Sequence, residues 1–272
     1  MKRTSHRAKP ARRTAAMVIG DGLLLSLALT GVFLFQFHVY GLPGSRNVVL
    51  AACLAAALLT LVIFSLPKYR WAAVLTVVVL GLVLVWRYWD SVFQGAQAVY
   101  HTVAHVITES TDFPGEFPIP GTWTEEEIWA AANHFLTAVI FTLALPLGWA
   151  VVRRRAFLPV LLLTLPWLIP IFLAEFPPDV ISLSMLAACW MAMLLTGLTA
   201  KKDRAGGGRL TLVVLPAVLL VLYCICLIFP AESYVYPDWA ATAAQRLIKI
   251  GENVHTGLGG NGAAEQVDLA RV

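Results

Sequence analysis

The chain has 272 residues, of which 59% are hydrophobic and 13% are charged, and its formal net charge at pH 7 is +4. Soluble domains carry roughly 45–50% apolar and about 25% charged residues. This share of charged side chains is too small to cover the surface of a soluble protein of this size. The chain is therefore predicted to be an integral membrane protein. The high apolar fraction and the 4 cysteines also exclude disordered, collagen-like and disulfide-stapled secreted proteins.

Seven apolar stretches are long enough to cross a hydrocarbon core about 30 Å thick, which takes about 17 to 25 helical residues. They are predicted to be helices, because a lone strand would leave its backbone groups unpaired in lipid. The apolar core of the third stops at Trp86, so Arg87 must snorkel if that helix continues to Trp89. The predicted fold is an all-α polytopic bundle of about seven transmembrane spans. These spans are residues 15–39, 48–66, 71–89, 128–152, 156–173, 180–198 and 210–229.

Along the chain, segments rich in basic residues alternate with segments that contain few, as expected if successive loops lie on opposite sides of the membrane. Loops rich in Lys and Arg stay in the cytoplasm, so the N-terminus is predicted inside and the C-terminus outside. The first apolar run, at about 25 residues, is longer than the core of a signal peptide and is predicted to be an uncleaved span. Topology explains the net charge, so no nucleic-acid partner is predicted. Fifteen of the 20 Lys and Arg residues lie on the predicted inner side, in segments 1–14, 67–70, 153–155 and 199–209.

The external loop before the fourth span has its own pattern. Apolar residues at spacings of three and four predict an amphipathic helix over 91–109, lying at the interface or on the other spans. A connector rich in proline follows, and Thr124 with Glu127 predicts a capping box that starts the fourth span. The predicted regions are a basic N-terminus (1–14), a three-span unit (15–89), this loop (90–127), a four-span unit (128–229) and an external tail (230–272).

The external tail contains a short predicted helix, to Ile250, and then a glycine-rich stretch that begins at Gly251. The stretch leads into Val267, Asp268 and Leu269, which have the pattern of the start of a strand. Two interpretations stay open. The tail is either a flexible terminus, or a linker toward an external domain.

Three polar residues of the predicted loop helix form one stripe. His101, His105 and Glu109 fall at i, i+4 and i+8, on the face opposite the valines. Such groups are the ligands that zinc uses, although ligands spread over two helical turns rarely converge on one ion without help from another element. The alternative is that they form the wet face of an interfacial helix. The pattern favours the wet face, and no cofactor is predicted.

Two ionisable side chains lie inside predicted spans. Asp21 stands between two glycines in the first span, about 9 Å past its start. An intramembrane carboxylate indicates a functional site by default, here coupling or ion binding. Local pairing with Arg12 or Arg13, with the glycines allowing close helix packing, is the alternative. His134, about two turns into the fourth span, is either a proton relay or an interfacial histidine satisfied by a partner.

No catalytic residue is predicted. All four cysteines fall inside spans, where a thiolate lacks water and charge stabilisation, so they are interpreted as packing residues. The P-loop, zincin and serine-hydrolase motifs are absent from the sequence. Prolines within spans predict kinks. The cysteines are Cys53, Cys189, Cys224 and Cys226, and the prolines are Pro146, Pro166, Pro170 and Pro216.

The second half of the chain resembles the membrane region of bacterial transglutaminase-like membrane proteins of the clostridial type. The residues that carry the resemblance are the last four spans with their basic loops, the exit segment FPAESYVYPDW (229–239), and the passage into residues 267–269. In that family a papain-like domain with a Cys, His and Asp triad follows on the external side. The residues after Phe229 include no Cys, so no catalytic residue is carried over.

The resemblance implies a non-catalytic membrane anchor in a bacterial plasma membrane, truncated or split before an external catalytic domain. That domain is expected to be encoded downstream of Val272. Two other functions stay open, a small polytopic transporter and an accessory subunit of a membrane complex. The predicted partners are the lipid bilayer and, in the respective cases, the external domain or another membrane subunit.

Overall fold

The computed structural model describes residues 14–66, 69–111, 123–169, 179–202 and 204–228. These residues are almost entirely helical and contain no strand, which confirms the all-α class for this part of the chain. The helices are α1 (Ala15–Tyr40), α2 (Arg46–Ser65), α3 (Arg70–Arg87), α4 (Trp89–Thr111), α5 (Glu125–Gly148), α6 (Phe157–Thr164), α7 (Val180–Lys202) and α8 (Arg204–Ile228). A π-helical turn, Trp149–Arg154, follows α5, and a 3₁₀ turn, Leu165–Leu168, follows α6.

Helix α1 is the centre of the bundle. Sixteen of its 26 residues are buried, and it packs against α2, α5, α7 and α8. Thr14 caps its N-terminus by accepting a hydrogen bond from the Met17 amide, and Gly41 ends it in the left-handed conformation, with φ of 56°. Glycine adopts this φ without a steric penalty. The ends of the bundle near Tyr40 and near Arg155 are called the Tyr40 end and the Arg155 end below.

The fourth and sixth predicted spans agree with the observed helices. The predicted capping box is confirmed, because the Thr124 amide donates to Glu127 Oε2 at 2.9 Å and the Glu127 amide donates to Thr124 Oγ1 at 3.4 Å. Helix α5 contains Pro146 and continues through the π-helical turn. A proline removes one backbone donor, so a wider turn just after it is a common adjustment.

Five helical segments are long and apolar enough to cross a membrane by themselves, and a sixth span results if the bent pair of α3 and α4 is one span. The described residues therefore support a multi-pass membrane protein with five to six candidate spans, and the predicted count of about seven stays a prediction because residues 170–178 lie outside them. The five segments are Ala15–Tyr40, Arg46–Ser65, Glu125–Arg154, Val180–Gly197 and Gly206–Cys226.

The third predicted span ends close to Trp86, where its apolar core stops, and not at Trp89. Helix α3 stops at Arg87, and α4 starts at Trp89 at an angle of 85° to it. Arg87 lies near the ring of Tyr88, 5.8 Å from its centroid. A charged group at this point favours a break in the span over burial of the guanidinium in lipid.

The fifth predicted span is also short in the described residues. Helix α6 and its 3₁₀ turn together give one apolar helix over Phe157–Leu168. Pro166 lies in the 3₁₀ turn, where its missing amide removes an α-helical hydrogen bond. Thr164 accepts a hydrogen bond from the indole of Trp190 at 3.0 Å, which joins α6 to α7. Residue 170 onward in this predicted span lies outside the described residues.

The predicted loop helix exists as α4 and packs on other helices. A Cβ added at Gly95 would lie 2.0 Å from the Ala131 carbonyl oxygen, so α4 and α5 are in backbone contact there. Val99, Val103 and Val106 pack against the core, as the predicted apolar face requires. The predictions for residues 1–13, for the connector at 112–122 and for the tail from 229 onward lie outside the described residues.

Candidate functional site

The bundle holds a buried ion pair at its Arg155 end. Arg155 donates two hydrogen bonds to Asp21 Oδ1, from Nε at 3.0 Å and from Nη2 at 2.6 Å. Their side chains are 8% and 1% exposed. A buried carboxylate and guanidinium offset each other's desolvation only with this kind of short, hydrogen-bonded geometry.

Arg155 reaches Asp21 because the backbone turns sharply after α5. The π-helical turn ends at Arg155, which has φ of 44° and is left-handed without being glycine. Its amide and the amide of Ala156 both donate to the Ala150 carbonyl, the second at 3.3 Å. This conformation is uncommon for a side chain with a Cβ, and it directs the guanidinium back into the bundle.

The surroundings of Asp21 are built from small residues. A Cβ added at Gly208 in α8 would lie 2.6 Å from Met17 Cα, so α1 and α8 are in backbone contact. A Cβ at Gly20 would lie 3.4 Å from the Gly208 carbonyl oxygen, and one at Gly22 would lie 3.2 Å from Leu61 Cδ2. Such close approach of helices is typical of small residues in membrane proteins.

Within the described residues, Asp21 has a partner that the sequence did not predict. Pairing was expected with Arg12 or Arg13, which lie outside the described residues, and Arg155 was placed in a cytoplasmic loop. Arg155 is instead buried, at 7% exposure, while its neighbours Arg153 and Arg154 are exposed. Nothing local distinguishes the three arginines in sequence, because the pairing depends on the left-handed turn and on a residue 134 positions away.

His134 lies toward the other end of the bundle, on the surface of α5. Its Nδ1 is 2.9 Å from Ser91 Oγ in α4, and its ring stacks on Tyr88 with centroids 5.7 Å apart and planes at 14°. The side chain is exposed. His134 therefore has partners from α4 and from the residue between α3 and α4, and it is not in the same place as Asp21.

The histidine stripe of α4 is present as predicted by spacing, with His101 half-buried and His105 exposed. The side chain of Glu109, the third predicted ligand, lies outside what the structure describes. Among the described residues, no group of three or more His, Cys, Asp or Glu side chains is arranged to hold a metal ion. The zinc hypothesis therefore stays a prediction.

The cysteines divide into two pairs by burial. Cys53 and Cys189 are fully buried in the core, and Cys189 Sγ lies 3.4 Å from the Leu24 carbonyl oxygen in α1. Cys224 is exposed on α8, and Cys226 Sγ lies 3.8 Å from Ser184 Oγ in α7. All four are free thiols.

Comparisons with known proteins identify no relative of this chain. No family model matches it, and no curated protein and no solved structure resembles it significantly.

Proposed function

We propose that this chain is a non-catalytic, multi-pass membrane anchor that holds an external segment after α8. The observation that supports it is the arrangement of the intramembrane polar groups. Asp21 and Arg155 form a buried ion pair, and the helices around the pair are in backbone contact. A self-neutralised pair in close packing suits a rigid support better than a site that binds and releases ions.

The rival function, transport, needs polar residues that share one path. Asp21 pairs at the Arg155 end, whereas His134 is exposed on α5 and 21 residues from Arg155. At about 1.5 Å per residue, that separation is about 30 Å along the helix axis. Residues of one path can lie at different depths, but Asp21 is buried within the bundle whereas His134 is exposed on its surface, so the two do not line one interior path, which favours the anchor.

The finer assignment, a transglutaminase-like anchor in a bacterial plasma membrane, rests on the sequence resemblance. It implies that the segment after α8 is external and leads to a papain-like thiol domain. The exit segment that carries the resemblance, 229–239, lies outside the described residues. A test of this assignment must therefore ask where the C-terminal residues are located.

Reporter fusions after Val272 test the anchor directly. We expect a fused alkaline phosphatase, which is active only outside the bacterial cytoplasm, to be active, and a fused green fluorescent protein to stay dark. The fusion protein should also resist carbonate extraction from membranes. The opposite reporter pattern would contradict an external tail, and extraction by carbonate would contradict an integral anchor.

Reconstitution in liposomes tests the rival function. With a proton-sensitive dye inside the vesicles, we expect the wild-type protein to give no flux above empty liposomes. A wild-type flux that Asp21→Asn abolishes, although this variant still elutes as a folded protein on size-exclusion chromatography, and that Asp90→Asn at the exposed start of α4 leaves intact, would overturn the anchor in favour of a transporter.

A further inference from the structure

A cavity of about 500 Å³ lies at the Tyr40 end, between α1, α4, α5 and the 3₁₀ turn after α6. This volume is in the range of small-molecule sites, which are mostly apolar with a few polar groups. Its lining contains no charged residue among those described. The lining residues are Phe33, Gln36, Tyr40, Leu42, Val99, Val103, Phe135, Leu136, Val139, Pro166, Trp167 and Ile169.

The 3₁₀ turn after α6 forms one wall of this cavity. Where the helix tightens into the 3₁₀ turn at Pro166, the Trp167 carbonyl accepts a hydrogen bond from Gln36 Nε2 of α1. The Phe33 ring packs on Trp167, with centroids 5.6 Å apart. Irregular backbone at membrane depth is tolerated where protein covers it or where it lines a cavity, and this turn has both features.

Two polar groups at the cavity have capacity left for a ligand. Gln36 and Tyr40 are each 7% exposed, and both line the cavity. Within the described residues, the Tyr40 hydroxyl and the Gln36 carbonyl oxygen have no hydrogen-bond partner. Buried tyrosine hydroxyls and amide oxygens normally find one, because leaving them unpaired is unfavourable. The cavity is thus apolar except at one corner, formed by Gln36 and Tyr40, which can form hydrogen bonds with a ligand.

We propose that this cavity binds an uncharged single-chain amphiphile, whose acyl chain occupies the apolar part and whose hydroxyl or ester group meets Gln36 and Tyr40. The apolar lining of α4 and α5, with Val103 and Val139 among it, suits the chain. The corner supplies one acceptor and one group that both donates and accepts, which suits a hydroxyl. An ionised head group is disfavoured, because a buried charge needs a charged partner that this lining lacks.

The proposal is tested with a monoacylglycerol that carries a photoactivatable diazirine on its acyl chain, added to the full-length protein in lipid nanodiscs. We expect labelled peptides from α4 and α5, and we expect unlabelled monoacylglycerol to compete. A probe of the same chain length with a quaternary ammonium head group, whose charge no pKa shift can remove, should label these peptides at least tenfold less. Removing one hydrogen bond with Tyr40→Phe should weaken competition about fivefold, which corresponds to about 1 kcal/mol.

Matched tryptophan substitutions separate the cavity from the lipid-facing surface. Val139→Trp fills the cavity and should abolish labelling of α4 and α5, whereas Leu82→Trp, at a 64% exposed position of α3, should leave it unchanged. Equal labelling in both variants, or equal labelling by the neutral and charged probes, would overturn the proposal. If Val139→Trp does not fold, as judged by size-exclusion chromatography, the Tyr40→Phe result decides. Because the cavity lies at the Tyr40 end, this outcome is independent of whether the chain is an anchor.

Discussion

Arg155 combines a buried charge with a left-handed backbone, and each feature is unfavourable for an isolated residue. The charge is offset by Asp21, and the backbone is held by two hydrogen bonds to the Ala150 carbonyl. Arginine at this position therefore depends on tertiary contacts from α1. This dependence makes the residue the most informative one to change.

Asp21→Asn is expected to destabilise the protein by about 3–5 kcal/mol, since it leaves the guanidinium buried without its carboxylate. The double variant Asp21→Leu with Arg155→Met should recover most of this loss, because an apolar pair of similar volume has no charge to desolvate. Thermal unfolding followed by tryptophan fluorescence in detergent measures both. Asp90→Asn, at an exposed position of α4, is the control and should unfold as the wild type does. A double variant that is no more stable than Asp21→Asn would contradict this account of the ion pair.

The left-handed turn makes a second prediction, at position 155 itself. Arg155→Ala and Arg155→Gly both remove the guanidinium, but glycine adopts φ of 44° without strain. Arg155→Gly should therefore be more stable than Arg155→Ala by about 1 kcal/mol. The order should reverse at Arg154, which has no positive φ, because glycine there lowers helix stability by about 1 kcal/mol relative to alanine. The same order at both positions would argue against the turn.

At the scale of elements, glycines decide where helices touch. A Cβ added at Gly95 would collide with the Ala131 carbonyl oxygen at 2.0 Å, whereas one added at Gly81 in α3 would meet nothing within 4 Å. Gly95→Ala must therefore separate α4 from α5, since the backbone atom it meets cannot rotate away. Gly81→Ala only adds a methyl group in open space.

We expect Gly95→Ala to lower stability by about 1–3 kcal/mol, the range typical of overpacked sites. Gly81→Ala should be neutral or stabilising, because alanine favours the helix. Limited proteolysis and thermal unfolding distinguish the two. Equal effects of the two substitutions would mean that α4 does not pack against α5 as described.

The sequence predicted the elements that depend on local signals and missed those that depend on tertiary contacts. Apolar length located α1 and α2 to within a few residues, and the Thr124 capping box located the start of α5. The end of the apolar core at Trp86 and the proline at 166 indicated where α3 and α6 become irregular, but they could not show the 85° bend between α3 and α4 or the 3₁₀ turn at Pro166. The burial of Arg155 could not be predicted either, because a charged residue in a predicted loop is assumed to be exposed unless a distant partner is known.

In the molecule as a whole, the described helices show which residues lie at the same end of the bundle. The side of the membrane that each end faces is inferred from the distribution of charge. Arg153 and Arg154 lie at one end of the segment Glu125–Arg154, and the acidic first turn of α5 lies at the other. Positive charge marks the cytoplasmic side, so the Arg155 end is expected inside. Glu126 and Arg154 are both exposed and 28 residues apart, which is about 42 Å of helix and exceeds a hydrocarbon core of about 30 Å.

Single cysteines at these two positions test the orientation and the crossing together, in a background with Cys53, Cys189, Cys224 and Cys226 replaced by alanine. In intact cells, an impermeant maleimide should label Glu126→Cys, because this end of α5 is expected outside. Arg154→Cys should react only after the membrane is permeabilised. The reverse pattern would invert the topology. Labelling of both positions in intact cells would show that Glu125–Arg154 does not cross the membrane, and the multi-pass arrangement around α1 would then have to be redrawn.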